Sequence, residues 1–121
     1  MLLGNPTAFT LLHKNIYVNQ ITGVTLFACA LAEVEGKIDF YIPAQMGSLN
    51  GSVSSNYVPG ILSQVEAKRL SELIGSRKVD VVKMDIEGAE NLVIKELYDH
   101  HVLGNIDQCI LCLLYTSDAA D

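Results

Sequence analysis

Apolar positions recur along the chain at spacings of three to four and of two, and their order lays out its elements. Asn5-Pro6 opens the first: Asn favours a helix cap and Pro the first helical position. Phe9, Leu12 and Ile16, with Leu11 beside them, then form one apolar face, which predicts a helix to about Val18, ended by Asn19, Gln20 and Thr22-Gly23. Val24 to Leu31 is a continuous apolar run and predicts a strand buried on both faces. After a turn at Glu33 to Gly36, Lys37 to Pro43 alternates, with Ile38, Phe40 and Ile42 on one side and Lys37, Asp39 and Tyr41 on the other. That pattern predicts a half-exposed strand antiparallel to the preceding one. Ala44 to Pro59, rich in Gly, Ser and Asn, predicts a long loop.

The second half repeats the alternation of periods. Ile61 to Val65 suits a short edge strand, and Leu70, Leu73 and Ile74 a short helix stopped by Gly75. Val79 to Met84 is the second buried strand. Glu87 to Tyr98 is a helix with Ala89, Leu92, Val93 and Leu97 inward, and Ile106 to Leu111 is a third strand. Strands alternating with helices predict an α/β fold around a parallel sheet.

Composition narrows the function classes. The 121 residues make at most one domain, and half of them are hydrophobic, which argues for a folded chain. A formal net charge of −6 without a basic run disfavours nucleic acid and anionic membranes as partners. The apolar runs fall short of the ~20 residues that span a bilayer, and the first residues lack the basic and apolar regions of a signal peptide. The expected compartment is the cytoplasm, with Cys29, Cys109 and Cys112 reduced. Cys109 and Cys112 form a lone CxxC without partner ligands, and Cys29 behaves as a small hydrophobe.

The candidate chemistry lies in Lys83-Met84-Asp85-Ile86-Glu87-Gly88-Ala89-Glu90, where the Val79–Met84 strand gives way to a helix. Ligands in open α/β sheets bind beyond the carboxyl ends of strands. A carboxylate there can bind a hydroxyl, take its proton or hold a cation. The plainer alternative is that Asp85 caps the helix while Glu87 and Glu90 favour its positive end. Lys83 in a buried strand needs a partner, and Asp85, two residues on, shares its face. His13, the His100-His101 pair, and Asn15 with Asn19 read as surface or helix-end residues. A second alternative, a metal-dependent hydrolase or phosphotransferase using Asp85, Glu87 and Glu90, lacks further ligands in the sequence. A third is a non-catalytic α/β interaction module.

Several segments in order resemble the FkbM-type methyltransferases. Asn5-Pro6-Thr7-Ala8-Phe9 through Asn15-Ile16-Tyr17-Val18-Asn19 resembles the helix after the family's second strand. Val24 to Glu33 with Glu35 to Ile42 resembles its third strand and hairpin, and Gly47 to Ser52 its Ser-rich loop on the substrate side. Arg69-Leu70-Ser71-Glu72-Leu73-Ile74 resembles a further segment, and Lys83 to Glu90 is similar nearly letter for letter to the most specific signature. The resemblance covers about residues 5 to 111. It implies a partial Rossmann-like class I methyltransferase fold, a three-layer αβα sandwich lacking its first two strands. It also implies methyl transfer, commonly to oxygen, from S-adenosylmethionine to a small-molecule or glycan hydroxyl acceptor. Motif and resemblance together give the expected site. Asp85, Glu87 and Lys83 act at the reacting groups; Ala30, Leu31 and Asp85 meet the cofactor; Glu90, Ser48 and Asn50 face the acceptor; no metal is held.

Two departures qualify the expectation. The family's glycine-rich loop and ribose-binding acid have no counterpart here, Leu3 or Gly4 standing near the acid's place. Cys112 to Asp121 resembles a translated transposase adapter used in preparing sequencing libraries. On that reading the natural part is residues 1–111, the C-terminal portion of a methyltransferase domain, and 112–121 a non-native tail. Without Asp118 and Asp121 the acidic count falls from 14 to 12 against 8 basic residues, a net charge of −4. The expectation for these 121 residues alone is a poorly stable, inactive fragment.

Overall fold

Asn5 starts the first helix as its sequence suggests. Its side-chain oxygen accepts hydrogen bonds from Thr7 N at 3.0 Å and Ala8 N at 3.2 Å, and Pro6 occupies the first helical position. The cap satisfies two of the amides that a helix start leaves open. The structure, a computed structural model, describes residues 1, 4–43, 60–86 and 88–112. Contacts divide the chain into two compact units, Met1–Lys68 and Arg69–Asp121.

In the first unit, helix α1 (Pro6–Val18) is followed by strands β1 (Ala30–Leu31), β2 (Gly36–Pro43) and β3 (Gly60–Lys68). The sheet order is β1-β3-β2, with β3 parallel to β1 and antiparallel to β2. Ala67 pairs with Gly36 on one side and Ala30 on the other. Ala30, Phe40 and Val65 form the packed face, with Ile38 against them.

Three expectations change here. The segment expected as a short edge strand at Ile61 to Val65 is the nine-residue central strand. Its alternation runs further than its apolar letters show: Val65 and Ala67 are buried, while Leu62, Gln64 and Glu66 face solvent. The Lys37–Pro43 strand runs antiparallel to the strand before it, as expected, but β3 lies between the two and is its hydrogen-bonded partner. The Val24–Leu31 run keeps only Ala30–Leu31 as a regular strand, and Val24 is 43% exposed. Upstream of β1, Met1 donates to Thr25 O at 2.8 Å and accepts from Phe27 N at 2.9 Å. Donating to one residue and accepting from the second one on is the spacing of a parallel ladder.

In the second unit, α2 (Leu70–Ile74) ends at Gly75, whose φ of 57° carries the chain out of the helix. Strand β4 (Val79–Met84), helix α3 (Glu90–Asp99), a 3-10 turn at Leu103–Asn105 and β5 (Ile106–Leu111) follow. β4 and β5 pair in parallel, Val79 opposite Ile106 and Met84 opposite Leu111, so strand–helix–strand alternation gives the parallel pair it predicts. The face of α3 differs from expectation. Ala89, Val93 and Leu97 are buried, but Leu92 is 50% exposed and Glu96 takes an inward position. β4 is half-exposed rather than buried, and Lys83 stands in solvent. Among the described residues the architecture is therefore mixed α/β with two small sheets.

Candidate functional site

The carboxyl end of β4 is built by a short strand-to-helix turn. Met84 closes the strand: its side chain is buried and its carbonyl accepts from Cys112 N at 3.0 Å. Asp85 follows and is exposed. Gly88 then adopts a φ of 101°, a region side chains rarely occupy. The chain enters α3 at Glu90, and the capping position is held by Ala89 with no side-chain cap bond. Asp85 is thus not the helix cap that the plainer reading allowed.

Glu90 departs from its expected role at the acceptor. It is 3% exposed, and its two oxygens accept from Ile86 N at 3.0 Å and Gly88 N at 2.8 Å. A carboxylate enclosed and spent on its own backbone is turned toward the turn rather than toward a ligand. Lys83 is exposed, and among the described residues no ion pair joins it to Asp85, because a lysine in solvent has no need of a buried partner. The expected roles of Glu87, Ser48 and Asn50 fall outside the described residues, as do the 44–59 loop and the tail from 113 onward.

In the first unit, Ala30 is buried and Leu31 half-buried at the end of β1, where Ala32 N donates to Lys68 O at 3.0 Å. Beside them Gly4 passes close: a Cβ there would stand 3.1 Å from the Phe40 ring and 3.3 Å from Ala30 Cβ. Cys29, next to Ala30, is buried, and that burial pushes its thiol above the ordinary value, with Lys68 pulling the other way.

Of the groups of S-adenosylmethionine, an adenine edge suits the small apolar residues at the end of β1 in the first unit, and in the second unit, taken by itself, a cation or a hydroxyl suits the exposed Asp85 carboxylate. Asn5, spent on its helix cap and buried, offers the ribose nothing. The fit is therefore partial. Among the described residues, which leave out Glu87, no group of three His, Cys, Asp or Glu could hold a metal ion. No helix among them is long and apolar enough to cross a membrane.

The sequence reading missed one polar cluster. Glu96, buried on α3, accepts from both the amide and the hydroxyl of Ser71 on α2 and lies 3.2 Å from His100 Nδ1. Its only sequence signal is its place one residue before Leu97 on the helix, a position that a charge ordinarily leaves to solvent.

Comparison with known proteins agrees with the signature at β4. The family model described as "Methyltransferase FkbM domain" matches residues 6–117. A protein of Beauveria bassiana (strain ARSEF 2860) named "Methyltransferase 1" is 26% identical over 117 aligned residues, covering 79% of this chain and 47% of that protein. The chain thus spans about half the length of this curated relative. No solved structure matches. The chain belongs to the FkbM methyltransferase family.

Proposed function

We propose that this member of the FkbM methyltransferase family takes part in O-methyl transfer from S-adenosylmethionine to a hydroxyl on a small molecule or glycan. The observation that carries the reading is Asp85, an exposed carboxylate at the carboxyl end of a parallel strand, within the chain's most family-specific segment. Bound S-adenosylmethionine supplies an electrophilic methyl group on a sulfonium. The protein's work is to hold the acceptor oxygen in line with that methyl and to exclude competing water. Asp85 accepts the hydroxyl proton or orients the hydroxyl, and Lys83 and Glu87, on the same segment, set the local charge. Ala30 and Leu31 contact the adenine, and Ser48 and Asn50 approach the acceptor.

A partial Rossmann-like arrangement is the fold this reading requires. Turnover is assigned to a polypeptide that also supplies a glycine-rich strand–loop–helix, since these 121 residues carry none. Calorimetric titration of the 121-residue chain with S-adenosylmethionine is then expected to show no micromolar binding, and such binding would overturn that assignment.

The test of the activity uses the reading frame that contains these residues in its source genome. It is incubated with methyl-tritiated S-adenosylmethionine and a panel of hydroxylated acceptors. Label is expected in a carbon–oxygen bond of one acceptor class, falling about 100-fold or more in Asp85→Ala. Transfer that is indifferent to Asp85, or no transfer to any oxygen, would overturn the reading.

A further inference from the structure

Asp85 is joined to Ile86 by a peptide whose N–H is held by Glu90 Oε1 at 3.0 Å. A trans peptide is planar, so fixing that N–H also fixes the direction of the Asp85 carbonyl, which points the opposite way. The second oxygen of Glu90 holds the Gly88 N–H at 2.8 Å, two residues further on. The carboxylate itself stands on the first turn of the ten-residue α3, which Val93 and Leu97 bury. On the other flank of Asp85, Met84 is buried and its carbonyl is bound to Cys112 N. The exposed Asp85 thus lies between two fixed points.

We infer that Glu90 is a positioning residue for Asp85: a buried carboxylate that clamps the strand-to-helix turn from behind and sets the direction in which Asp85 leaves β4. The role rests on the reading of Asp85 as the carboxylate beside the reacting groups. The residue type follows from the clamp. Each N–H meets a different oxygen of the carboxylate, whereas the amide of Gln in the same place has one oxygen and turns an NH₂ donor toward the remaining N–H. Holding a reactive side chain through a residue rooted on a helix is how site geometry is kept within the narrow tolerance that alignment requires.

Glu90→Gln in the ¹⁵N-labelled 121-residue chain separates this role from fold-holding. The amide exchange of Ile86 or Gly88 is expected to rise about tenfold or more, and the Ile86 N–H order parameter to fall toward the flexible range below about 0.6. Val93 and Leu97 amides and the melting temperature are expected to hold. Unchanged Ile86 and Gly88 amides would overturn the inference, and so would exchange that accelerates equally at Val93 and Leu97. If the variant does not fold, the wild-type chain decides: through-hydrogen-bond coupling from the Ile86 and Gly88 nitrogens to Glu90 Cδ supports the clamp, and its absence refutes it. In the methyl-transfer assay, Glu90→Gln is expected to lower kcat about tenfold with KM for S-adenosylmethionine kept, and to add nothing to Asp85→Ala. Additive losses there would make Glu90 merely structural. Because the exchange measurement needs no turnover, failure of the clamp and failure of the methyltransferase reading remain distinguishable.

Discussion

Glu96 caps helix α2 for Ser71 from a different helix: its Oε2 accepts from Ser71 N at 3.2 Å, and its Oε1 accepts from the Ser71 hydroxyl. The residue at the capping position of α2, Arg69, makes no cap bond. Its guanidinium pairs with Glu72 and donates to His100 Nε2 at 3.0 Å instead. His100 then presents Nδ1 to the Glu96 backbone carbonyl at 2.9 Å and to its carboxylate at 3.2 Å. The tautomer with its proton on Nδ1 satisfies both sides, accepting from Arg69 and donating to Glu96. A five-residue helix, too short to persist alone, is thereby tied to α3.

Glu96→Ala is accordingly expected to destabilise the chain by about 2–3 kcal/mol, since it strands the Ser71 amide and hydroxyl in a buried site. Glu96→Gln, which keeps one acceptor oxygen, is expected to cost about 1 kcal/mol. The measurement is the urea midpoint at constant slope. Equal midpoints for wild type and Glu96→Ala would mean that the cap contributes nothing.

Leu92 and Leu97 look alike in the sequence pattern and differ in the structure, where they are 50% and 0% exposed. Leu97→Ala is expected to cost about 2–5 kcal/mol through lost burial and the cavity left behind. Leu92→Ala is expected to stay within about 0.5 kcal/mol. Chemical denaturation of the two variants side by side checks the orientation of α3, and a larger loss at Leu92 would reverse it.

Cys29 is predicted to resist alkylation while Cys109 and Cys112, both exposed, react readily. Burial raises the Cys29 thiol above its ordinary value of 9.0, so less of the nucleophilic thiolate exists at a given pH. The same shift fixes the sign of a stability effect. Above pH 9 the unfolded thiol gives up its proton while the folded one keeps it, so the unfolded state binds fewer protons and stability falls as pH rises. Mass spectrometry after timed iodoacetamide exposure, together with unfolding midpoints of wild type and Cys29→Ala across pH 8 to 10, reads both. Loss of the alkaline decline in Cys29→Ala is the expected result.

What could be read in the letters was local. The Asn5 cap, the Gly75 stop and the alternation at Ile38 and Phe40 depend on neighbours within a few residues, and each appears where its pattern places it. Whether a strand is central or at an edge depends on partners distant in sequence, so the Gly60–Lys68 strand, with polar letters along its solvent face, was not legible as the middle of its sheet. The site divides the same way. Asp85 at the strand end follows from the order of strand and helix, whereas the inward turn of Glu90 depends on the backbone of Ile86 and Gly88 coming round to meet it. Glu96 is the extreme case, because its burial is tolerable only with the two donors that Ser71 brings from a second helix, beside the ring of His100.

The ends of α1 and α3 show a further effect that the letters concealed. Both helices finish in a left-handed residue that is not glycine, Gln20 with φ 54° and His101 with φ 57°. In each case the amide of that residue and the one after it fold back: Gln20 N to Tyr17 O and Ile21 N to Ile16 O, and likewise His101 N to Tyr98 O and Val102 N to Leu97 O. This is the Schellman pairing, which satisfies carbonyls that a helix end leaves open. At the α3 end, Val102 and Leu97, at the two positions whose apolar side chains the motif commonly brings together, are both buried. A side chain in this region costs about 1 kcal/mol relative to glycine, and glycine in turn gives the unfolded chain more freedom to lose. The first effect is the larger where φ is positive, so His101→Gly is expected to stabilise by about 0.5–1 kcal/mol and Gln20→Gly by a similar amount. Each side chain is exposed, so little packing is lost to offset the gain. Because the two sites lie in different units, the double variant tests whether the units unfold together: one shared transition that shifts by the sum indicates a single cooperative step, and two separate transitions that each respond to one substitution indicate independent units.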